Sequence, residues 1–328
     1  MNRVPLLSTR KLVLEALDRS SVTRFPIKAM YNSLLGGIIN DHALMSIPID
    51  DHMAHRGHSV FDTLSVINGR AFILQSHLDR LLKSASQARI ELPFERQKIA
   101  EILKQLAAST GLQCCKIRYW LSTGPGSIEV FPLPGMSAFY AIAFEGDARA
   151  GNTDIQKEFT SSVPLKPKLL ATMKSTNYLL NALCAMESQD QGGHFGIMVN
   201  EAGFIAEGPV ANLSFILPGR RFVTPPYDDI LRGTTSLCVV NNAKELLNKG
   251  ILASVEQRNI HIDEAKTCEE MFYSSGDTIH PVLEWDGKKI GSGVRGPISQ
   301  LFIDAHLRNF ENPALCEEIP YNLYKNDL

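Results

Sequence analysis

The first clear pattern of apolar and polar positions in the chain is that of a β-hairpin. Residues 60–68 are strand-like, with β-branched residues at several positions, and residues 71–74 form a second apolar run. The dipeptide Asn68-Gly69 between them suits a tight turn, because both residue types tolerate a positive φ. We therefore predict two antiparallel strands joined at this dipeptide.

Two helices are predicted to follow the hairpin. From Ser76 the apolar residues recur at i, i+3, i+4 and i+7, which is the spacing of one helix face. These residues are Leu78, Leu81, Leu82 and Ala85. Pro93 ends this helix, and a second group of apolar residues indicates another helix beyond it. That group consists of Ile99, Ile102, Leu103 and Leu106.

The chain then returns to strands and reaches a candidate domain boundary. Residues 116–122 and 137–144 are predicted strands, separated by a loop at 124–126. Residues 145–153 are polar and contain glycine, which is typical of a linker. A chain of 328 residues also exceeds the size at which one core usually stops growing. We predict an N-terminal extension (1–30), a small α+β domain (31–147) and a larger domain (148–328).

Helices and strands are also mixed beyond the linker, so the predicted fold class is α+β. Helices are predicted over 175–189 and 234–247, and strands over 195–199, 213–217 and 270–273. Turns are predicted at Ala202-Gly203 and at 274–276.

Composition and charge narrow the class of protein. Hydrophobic residues make up 44% and charged residues 21%, which is ordinary for a globular chain. The formal net charge of −2 gives no reason to expect a nucleic acid or an acidic membrane surface as partner. No apolar run approaches the roughly 18 residues that span a bilayer. The six cysteines include no C-x-x-C pair and no zinc-finger spacing, so we expect reduced thiols and no metal site.

The first 30 residues leave the cellular compartment open. Several basic residues among serines and threonines are typical of the end of an organelle transit peptide. They are Arg3, Arg10, Lys11, Arg19 and Arg24. Glu15 and Asp18 dilute that pattern, and residues 12–17 are consistent with a simple surface helix, which is the favoured interpretation. The chain is expected in the cytoplasm, or in a plastid or another organelle if this segment is a targeting remnant.

A few polar residues are candidates for chemistry, although none is specific alone. Lys174 precedes a predicted helix in an apolar setting, where lysines are rarely buried without a partner. Glu207 lies in a loop after a strand, and Arg80 lies on a helix with a buried face. Residues 233–235 open a helix, which suits a phosphate site or an ordinary N-cap. Taken singly, each is better explained as a surface or capping residue.

The order of the motifs that contain these residues is far more specific. Six motifs follow one another: HRGHSVFDT (55–63), HLDRL (77–81), KSTNYL (174–179), EGPVANLSF (207–215), LRGTT (231–235) and SSGDTIHPV (274–282). With them, residues 31–307 resemble the class IV (fold type IV) aminotransferases, which depend on pyridoxal 5′-phosphate (PLP). That family includes D-amino-acid and branched-chain aminotransferases and aminodeoxychorismate lyases. The stretches DDHMAHRGH, RYWLSTGPG and FIAEGP are most similar to plant-type D-amino-acid aminotransferases.

The resemblance implies a two-domain α+β fold with PLP in the cleft between the domains. Lys174 matches the lysine that carries PLP as a Schiff base and then moves a proton between substrate Cα and cofactor C4′. Glu207 matches the carboxylate that faces the pyridine nitrogen and keeps the ring protonated.

Further matches concern the phosphate and the phenolic oxygen of PLP. Arg80 matches the arginine that binds the phosphate, for which a planar donor fork is suited. Thr234, Thr235 and Ser275 match further phosphate contacts, the first two at a helix start. Ser274, the neighbour of Ser275, is a weaker candidate for the same contact. Tyr178 matches, with less regular spacing, a tyrosine near the phenolic oxygen in branched-chain enzymes.

The substrate side is less defined by the resemblance. Bacterial D-amino-acid aminotransferases bind the substrate carboxylate through an Arg/His pair on a loop of the partner subunit, but residues 122–127 here contain neither. Arg118 matches a strand arginine near the substrate side pocket in some relatives, or is a structural arginine between domains. Phe61 and Thr63 are the remaining substrate candidates. A threonine at 63 occurs in both the lyases and the plant-type proteins.

The expected activity is therefore reversible amino transfer between an amino acid, with D-amino acids favoured, and a 2-oxo acid. The alternatives left open are lysis of 4-amino-4-deoxychorismate to 4-aminobenzoate and pyruvate, branched-chain amino transfer, and cofactor binding without turnover. Retention of both Lys174 and Glu207 argues against the last of these. The family is built on homodimers, so we expect one here.

Overall fold

The structure is a computed structural model that describes residues 6–19, 27–146 and 153–324. Most of the predicted linker (147–152) lies outside these residues, as do residues 1–5 and 20–26 of the predicted extension. The division into residues 31–147 and 148–328 therefore stays a prediction.

The described chain contains helices and strands in mixed order. The helices are α1 (Arg10–Arg19), α2 (His52–Arg56), α3 (Leu74–Gln87), α4 (Arg96–Ala108), α5 (Lys168–Ala171), α6 (Leu179–Asp190), α7 (Thr234–Asn248), α8 (Ile262–Ala265) and α9 (Pro297–Asn309). The strands are β1 (Ile27–Asn32), β2 (Gly37–Ile39), β3 (Ser59–Ile67), β4 (Arg70–Phe72), β5 (Cys115–Ser122), β6 (Ala138–Glu145), β7 (Asn212–Leu217), β8 (Arg221–Thr224), β9 (Ser254–Gln257), β10 (Glu270–Ser275), β11 (Thr278–Pro281), β12 (Glu284–Trp285), β13 (Lys288–Lys289) and β14 (Cys316–Glu318).

An antiparallel seven-stranded sheet has the order β14-β4-β3-β5-β6-β1-β2. The predicted hairpin between β3 and β4 is confirmed, and both turn residues have a positive φ, at 50° for Asn68 and 73° for Gly69. Helices α3 and α4 cover one face of this sheet. Their predicted apolar stripes, including Leu78 and Leu103, are buried in its core.

A second sheet of five strands has the order β11-β10-β7-β8-β9, in which only the β8–β9 pair is parallel. Helices α7 and α9 pack on one face, where Val239 and Phe302 meet Phe222. The other face is also covered, around Phe215 and Trp285. Because both faces are covered, all six positions of β7 are buried, and four of them are apolar.

The end of the described chain returns to the first sheet. Strand β14 pairs with β4, which places residues 316–318 at the edge of the seven-stranded sheet. The predicted boundary after residue 147 did not anticipate this return. One sheet therefore contains strands from both sides of the predicted linker.

Three sequence predictions were wrong in detail. Helix α6 begins at Leu179 rather than at residue 175, because residues 174–176 pair with the edge of β3. Residues 195–199 make isolated bridges rather than a strand. The turn after β10 lies at Gly276-Asp277, because the strand continues through Ser275.

Among the described helices, none combines the length and apolar character that a membrane crossing requires.

Candidate active site

A cavity of about 480 Å³ is lined on one side by β3 and β5 and on the other by α7 and the β10–β11 hairpin. Its volume is typical of a site for a small molecule. Every residue that the sequence predicted for the site lines this cavity. They are Phe61, Thr63, Arg80, Arg118, Lys174, Tyr178, Glu207, Thr234, Thr235 and Ser275. The fold thus brings together side chains that are far apart in sequence.

Lys174 is fixed by backbone pairing with β3. Strand β4 is short and leaves the first half of β3 without a strand on one edge, so the segment around Lys174 takes that place. The amide of Phe61 donates to the carbonyl of Lys174 at 2.9 Å, and the amide of Thr176 donates to the carbonyl of Ser59 at 3.1 Å. The hydroxyl of Ser84 on α3 accepts from the Lys174 amide at 3.1 Å.

The amine of Lys174 lies between two aromatic rings. Its Nζ is 3.2 Å from the hydroxyl of Tyr178 and 4.6 Å from the centre of the Phe61 ring. Burial and the nearby charge of Arg80 lower the pKa of Lys174 to about 8, although Asp62 and Glu207 oppose the shift. A neutral amine is therefore accessible near physiological pH, as a nucleophile or proton acceptor requires.

Glu207 is a buried carboxylate at another wall of the cavity, only 7% exposed. The backbone amide of Leu231 donates to its Oε2 at 3.2 Å. Burial raises the pKa of Glu207 to about 7, while Lys166 and the Leu231 amide limit the shift. A second proton donor that faces this carboxylate from the cavity would favour its charged form.

Arg80 is held by a buried carboxylate that the sequence did not single out. Its Nε donates to Oδ2 of Asp62 at 2.8 Å and its Nη2 donates to Oδ1 at 2.6 Å. The ring of His77 lies 2.9 Å from the same carboxylate. Burial opposes the charge of Asp62, but Arg80 and His77 stabilise it and hold the pKa of Asp62 far below its usual value.

The first turn of α7 lines the same cavity as Arg80. Gly233 is the N-cap, and among the described residues no side chain caps the helix, an arrangement that suits its first amides to bind an anion. A Cβ at Gly233 would lie 2.0 Å from the side-chain oxygen of Asn212, so a larger residue here would displace the Asn212 side chain. The hydroxyl of Thr235 donates to the carbonyl of Gly276, which joins the helix start to the β10–β11 turn.

Two adjacent serines differ in their availability for a ligand. The hydroxyl of Ser275 donates to the carbonyl of Val210 at 2.7 Å. The hydroxyl of Ser274 is buried, lines the cavity and has no hydrogen-bond partner among the described residues. A buried polar atom without a partner is costly unless a ligand or water satisfies it. Ser274, the weaker candidate from sequence, is therefore the better placed of the two.

The substrate candidates lie on one face of the seven-stranded sheet. Thr63 and Arg118 are direct cross-strand partners on β3 and β5. The Nε of Arg118 donates to the hydroxyl of Thr63 at 3.1 Å, and its guanidinium lies 5.9 Å from the centre of the Phe61 ring. Thr63 thus lines the cavity, and its hydroxyl accepts a hydrogen bond from another cavity residue.

Sequence reasoning missed three polar groups near the cavity. Asp62 was part of a quoted motif but received no role, and Lys166 has no motif around it. Lys166 is buried, with its Nζ 4.6 Å from the centre of the Tyr178 ring. The third is the ion pair of Lys116 and Asp277, which also lines the cavity. The alternation along β5 could have indicated Lys116, because it shares a face with Arg118.

The same overall fold occurs in solved structures. The branched-chain amino acid aminotransferase of Escherichia coli is similar with a TM-score of 0.79. The two are 23% identical, and the match covers 90% of this chain and 99% of that one. A second branched-chain amino acid aminotransferase, solved in complex with N-(5′-phosphopyridoxyl)-L-glutamate, has a TM-score of 0.81 at 24% identity, over 90% of this chain and 100% of that one. The fold is therefore the two-domain fold type IV.

The sequence comparisons agree with the fold. The chain belongs to the class IV aminotransferase family, whose model matches residues 59–285. The chloroplastic D-amino-acid transaminase of Arabidopsis thaliana is 41% identical over 298 residues, which is 89% of this chain and 80% of the relative. A putative branched-chain-amino-acid aminotransferase of Methanocaldococcus jannaschii is 27% identical over 270 residues, or 81% and 92% of the two chains.

Proposed function

We propose that the chain transfers an amino group from a D-amino acid to a 2-oxo acid, with PLP bound in the cavity. The observation that carries this proposal is the convergence of Lys174, Glu207 and the start of α7 on one cavity. The 41% identity to a D-amino-acid transaminase supports the choice of D-amino acids.

The residues of the cavity fit PLP at three points. Arg80, the first turn of α7 and the unpartnered hydroxyl of Ser274 are suited to its phosphate. The buried carboxylate of Glu207 is suited to the pyridine nitrogen, and Lys174 to the aldehyde. When bound, PLP supplies an aldehyde for an amine and a ring that accepts the electrons left when Cα loses its proton.

The protein's part is to hold charges and move one proton. Because the pKa of Lys174 is lowered to about 8, its amine can take a proton from Cα and release it again. Tyr178, whose pKa burial raises to about 12, stays neutral and orients that amine through its hydroxyl. Glu207 would hold a proton on the ring nitrogen, and the charge of Lys166 favours the negative form of Glu207 against the effect of burial.

Arg118 is the proposed anchor for a substrate carboxylate. It lines the cavity, and within the described parts of the chain no carboxylate pairs with it, in contrast to Arg80. Burial lowers the pKa of Arg118, which still remains charged at neutral pH. Binding an anion would therefore satisfy a partly desolvated cation. Phe61 supplies the apolar wall beside it.

Lysis of aminodeoxychorismate is the second candidate reaction. It is favoured by one observation, the hydroxyl of Thr63 in the cavity. One experiment separates the alternatives: purified protein with PLP is offered D- and L-alanine with 2-oxoglutarate, and aminodeoxychorismate in parallel. Pyruvate formed from D-alanine only is the expected result. Release of 4-aminobenzoate without amino transfer would favour the lyase instead.

We also propose a homodimer, on the pattern of burial along α6. This helix buries the polar Asn181 and Ser188 but exposes Leu179, Leu183 and Met186, which share one face. Exposed apolar patches of this kind are typical of subunit interfaces. Light scattering of the intact protein should give twice the monomer mass. The double variant Leu183→Glu, Met186→Glu should give a monomer, whereas Gln189→Glu on the same helix should not.

A plastid location is proposed from the relative named chloroplastic and from the basic residues near the start of the chain. Fusion of residues 1–30 to a fluorescent protein in plant cells tests it. Fluorescence confined to plastids is expected, and uniform cytoplasmic fluorescence would contradict the proposal.

A further inference from the structure

Two basic residues project from the same face of β5 into the cavity. Lys116 and Arg118 are two positions apart, so they share a face, and both line the cavity. Their cross-strand partners on β3 are Ser65 and Thr63. Residues two apart on a strand are separated by about 7 Å. A single substrate molecule with two acidic groups can therefore reach both side chains.

Arg80, Lys116 and Arg118 all line the cavity, but they differ in how many hydrogen bonds they make to carboxylates of the protein. Arg80 is bound by Asp62 through two hydrogen bonds. The amine of Lys116 has one carboxylate contact, a 3.1 Å hydrogen bond to Oδ1 of Asp277. Arg118 has none among the described residues. The positive charge available to a substrate is therefore concentrated at Arg118 and, in part, at Lys116.

Asp277 is a fixed carboxylate beside a movable amine. It is 2% exposed and also accepts a hydrogen bond from the hydroxyl of Ser65 at 2.8 Å. The side chain of Lys116 is 30% exposed, and its stem packs against Gly146. An ammonium group has three N–H donors, of which Asp277 occupies one. Lys116 can thus bind a second carboxylate while Asp277 opposes the approach of that carboxylate by charge repulsion.

We propose that Lys116 determines specificity by binding the distal carboxylate of a dicarboxylic substrate, such as 2-oxoglutarate or glutamate, while Arg118 binds the carboxylate next to the reacting carbon. The inference rests on the proposed aminotransferase function. Asp277 acts as a counter-charge that weakens this contact and lets monocarboxylic substrates compete. The two members of one ion pair therefore have opposite effects on substrate preference.

The test measures kcat/KM of the PLP-loaded enzyme for 2-oxoglutarate and for pyruvate and uses their ratio. The donor is a D-amino acid other than D-alanine and D-glutamate, because those two are the products formed from the two acceptors. Lys116→Met keeps the aliphatic stem and removes the charge, so the ratio should fall by about tenfold or more. Asp277→Asn keeps the shape and removes the repulsion, so the ratio should rise several-fold. Lys116→Arg should restore most of the ratio.

A matched control is Lys104→Met, which removes a lysine paired with Glu317 at 3.2 Å outside the cavity. Its ratio should stay within about twofold of wild type. If Lys116→Met and Asp277→Asn shift the ratio in the same direction, or not at all, the pair merely joins the two sheets and the proposal is wrong.

Binding without chemistry gives an independent measurement. Calorimetry of the PLP-loaded protein with glutarate and with butyrate should show that Lys116→Met weakens glutarate binding about tenfold but butyrate binding much less. Equal losses for both acids would overturn the assignment. Absence of amino transfer to any 2-oxo acid by the wild type would refute the proposed function, whereas turnover with an unchanged ratio would refute only the role of Lys116.

Discussion

The hydroxyl of Tyr178 lies 3.2 Å from the amine of Lys174, and the two residues stand on either side of the transition from an extended segment to α6. Residues 174–176 are held by β3, whereas Tyr178 is the N-cap residue of the helix. The distance between the two groups is thus set by where the helix begins. Had α6 begun at residue 175, the tyrosine would lie on a helical turn instead.

The reactivity of Lys174 should rise with pH around its lowered pKa. Attack on the aldehyde of PLP requires the neutral amine, and burial lowers the pKa of Lys174 to about 8. The rate of covalent attachment of PLP to the cofactor-free protein should therefore increase as pH rises from about 6.5 to about 9. Borohydride reduction followed by peptide mass spectrometry should place the label on Lys174.

The buried Lys166 provides the control for this assignment, because its amine also lies near Tyr178. Lys166→Ala should still be labelled at residue 174, and Lys174→Ala should not be labelled. A label on Lys166 in the wild type, or a rate midpoint near the ordinary lysine pKa of about 10.4, would contradict the prediction.

Glu207→Gln should reduce turnover while PLP stays bound. The amide has nearly the same shape and can still accept from the Leu231 amide, but it carries no charge to hold a proton on the ring nitrogen. A charge-assisted hydrogen bond is worth about 1.5–3 kcal/mol, so kcat should fall roughly 10- to 100-fold. The dissociation constant of PLP, measured by fluorescence quenching, should change much less. Unchanged kcat would mean that the carboxylate faces another group.

Arg80→Ala should weaken PLP binding by about 1.5–3 kcal/mol, because one charge-assisted contact to the phosphate is lost. The sharper measurement compares PLP with pyridoxal, which lacks the phosphate. If Arg80 binds the phosphate, the variant and the wild type should bind pyridoxal alike. Equal loss for both ligands would show a general structural defect.

Asp62→Asn should also weaken PLP binding. It leaves the charge of Arg80 in place but removes the carboxylate that orients the guanidinium. We expect PLP affinity to fall less than in Arg80→Ala, again without an effect on pyridoxal. Asp79→Asn is the matched control, since Asp79 lies on the same helix as Arg80 but is exposed and pairs with Arg96. A defect in the control as large as that in Asp62→Asn would argue against a positioning role.

Arg80 was predicted as a site residue from the sequence, whereas its partner Asp62 was not, and the difference has a physical reason. The resemblance carried by the order of the six motifs was enough to assign Arg80 and Lys174 to one site, and both line one cavity. Asp62 occupies an inward position of a strand, where the pattern alone would favour an apolar residue. Its partner is 18 positions away on a helix, so only the packing of α3 on β3 reveals the pair.

The start of α6 is a second feature that could not be predicted correctly from the sequence. The helix was predicted to begin at Ser175, although residues 175–178 are Ser, Thr, Asn and Tyr, which are weak helix formers. The free edge of β3 competes for the same backbone groups, and strand pairing of residues 174–176 prevails. Tertiary context of this kind cannot be derived from a single sequence, because it depends on β4 being too short to cover β3.

Thr63→Val should separate amino transfer from lysis. The substitution keeps the shape and strand propensity of the side chain but deletes the hydroxyl that accepts from Arg118 at 3.1 Å. Amino transfer needs only Lys174 for its proton movements, so activity with D-alanine should remain within about tenfold, the loss reflecting a less fixed Arg118. Lysis also needs a donor or a held water beside the leaving group, and a positioned acid or base contributes about 10²–10⁴-fold. Thr63→Ser, which keeps the hydroxyl, should retain both activities in coupled assays of pyruvate and 4-aminobenzoate. Collapse of D-alanine transfer in the valine variant, with full recovery in the serine variant, would show that the hydroxyl serves the transfer reaction itself.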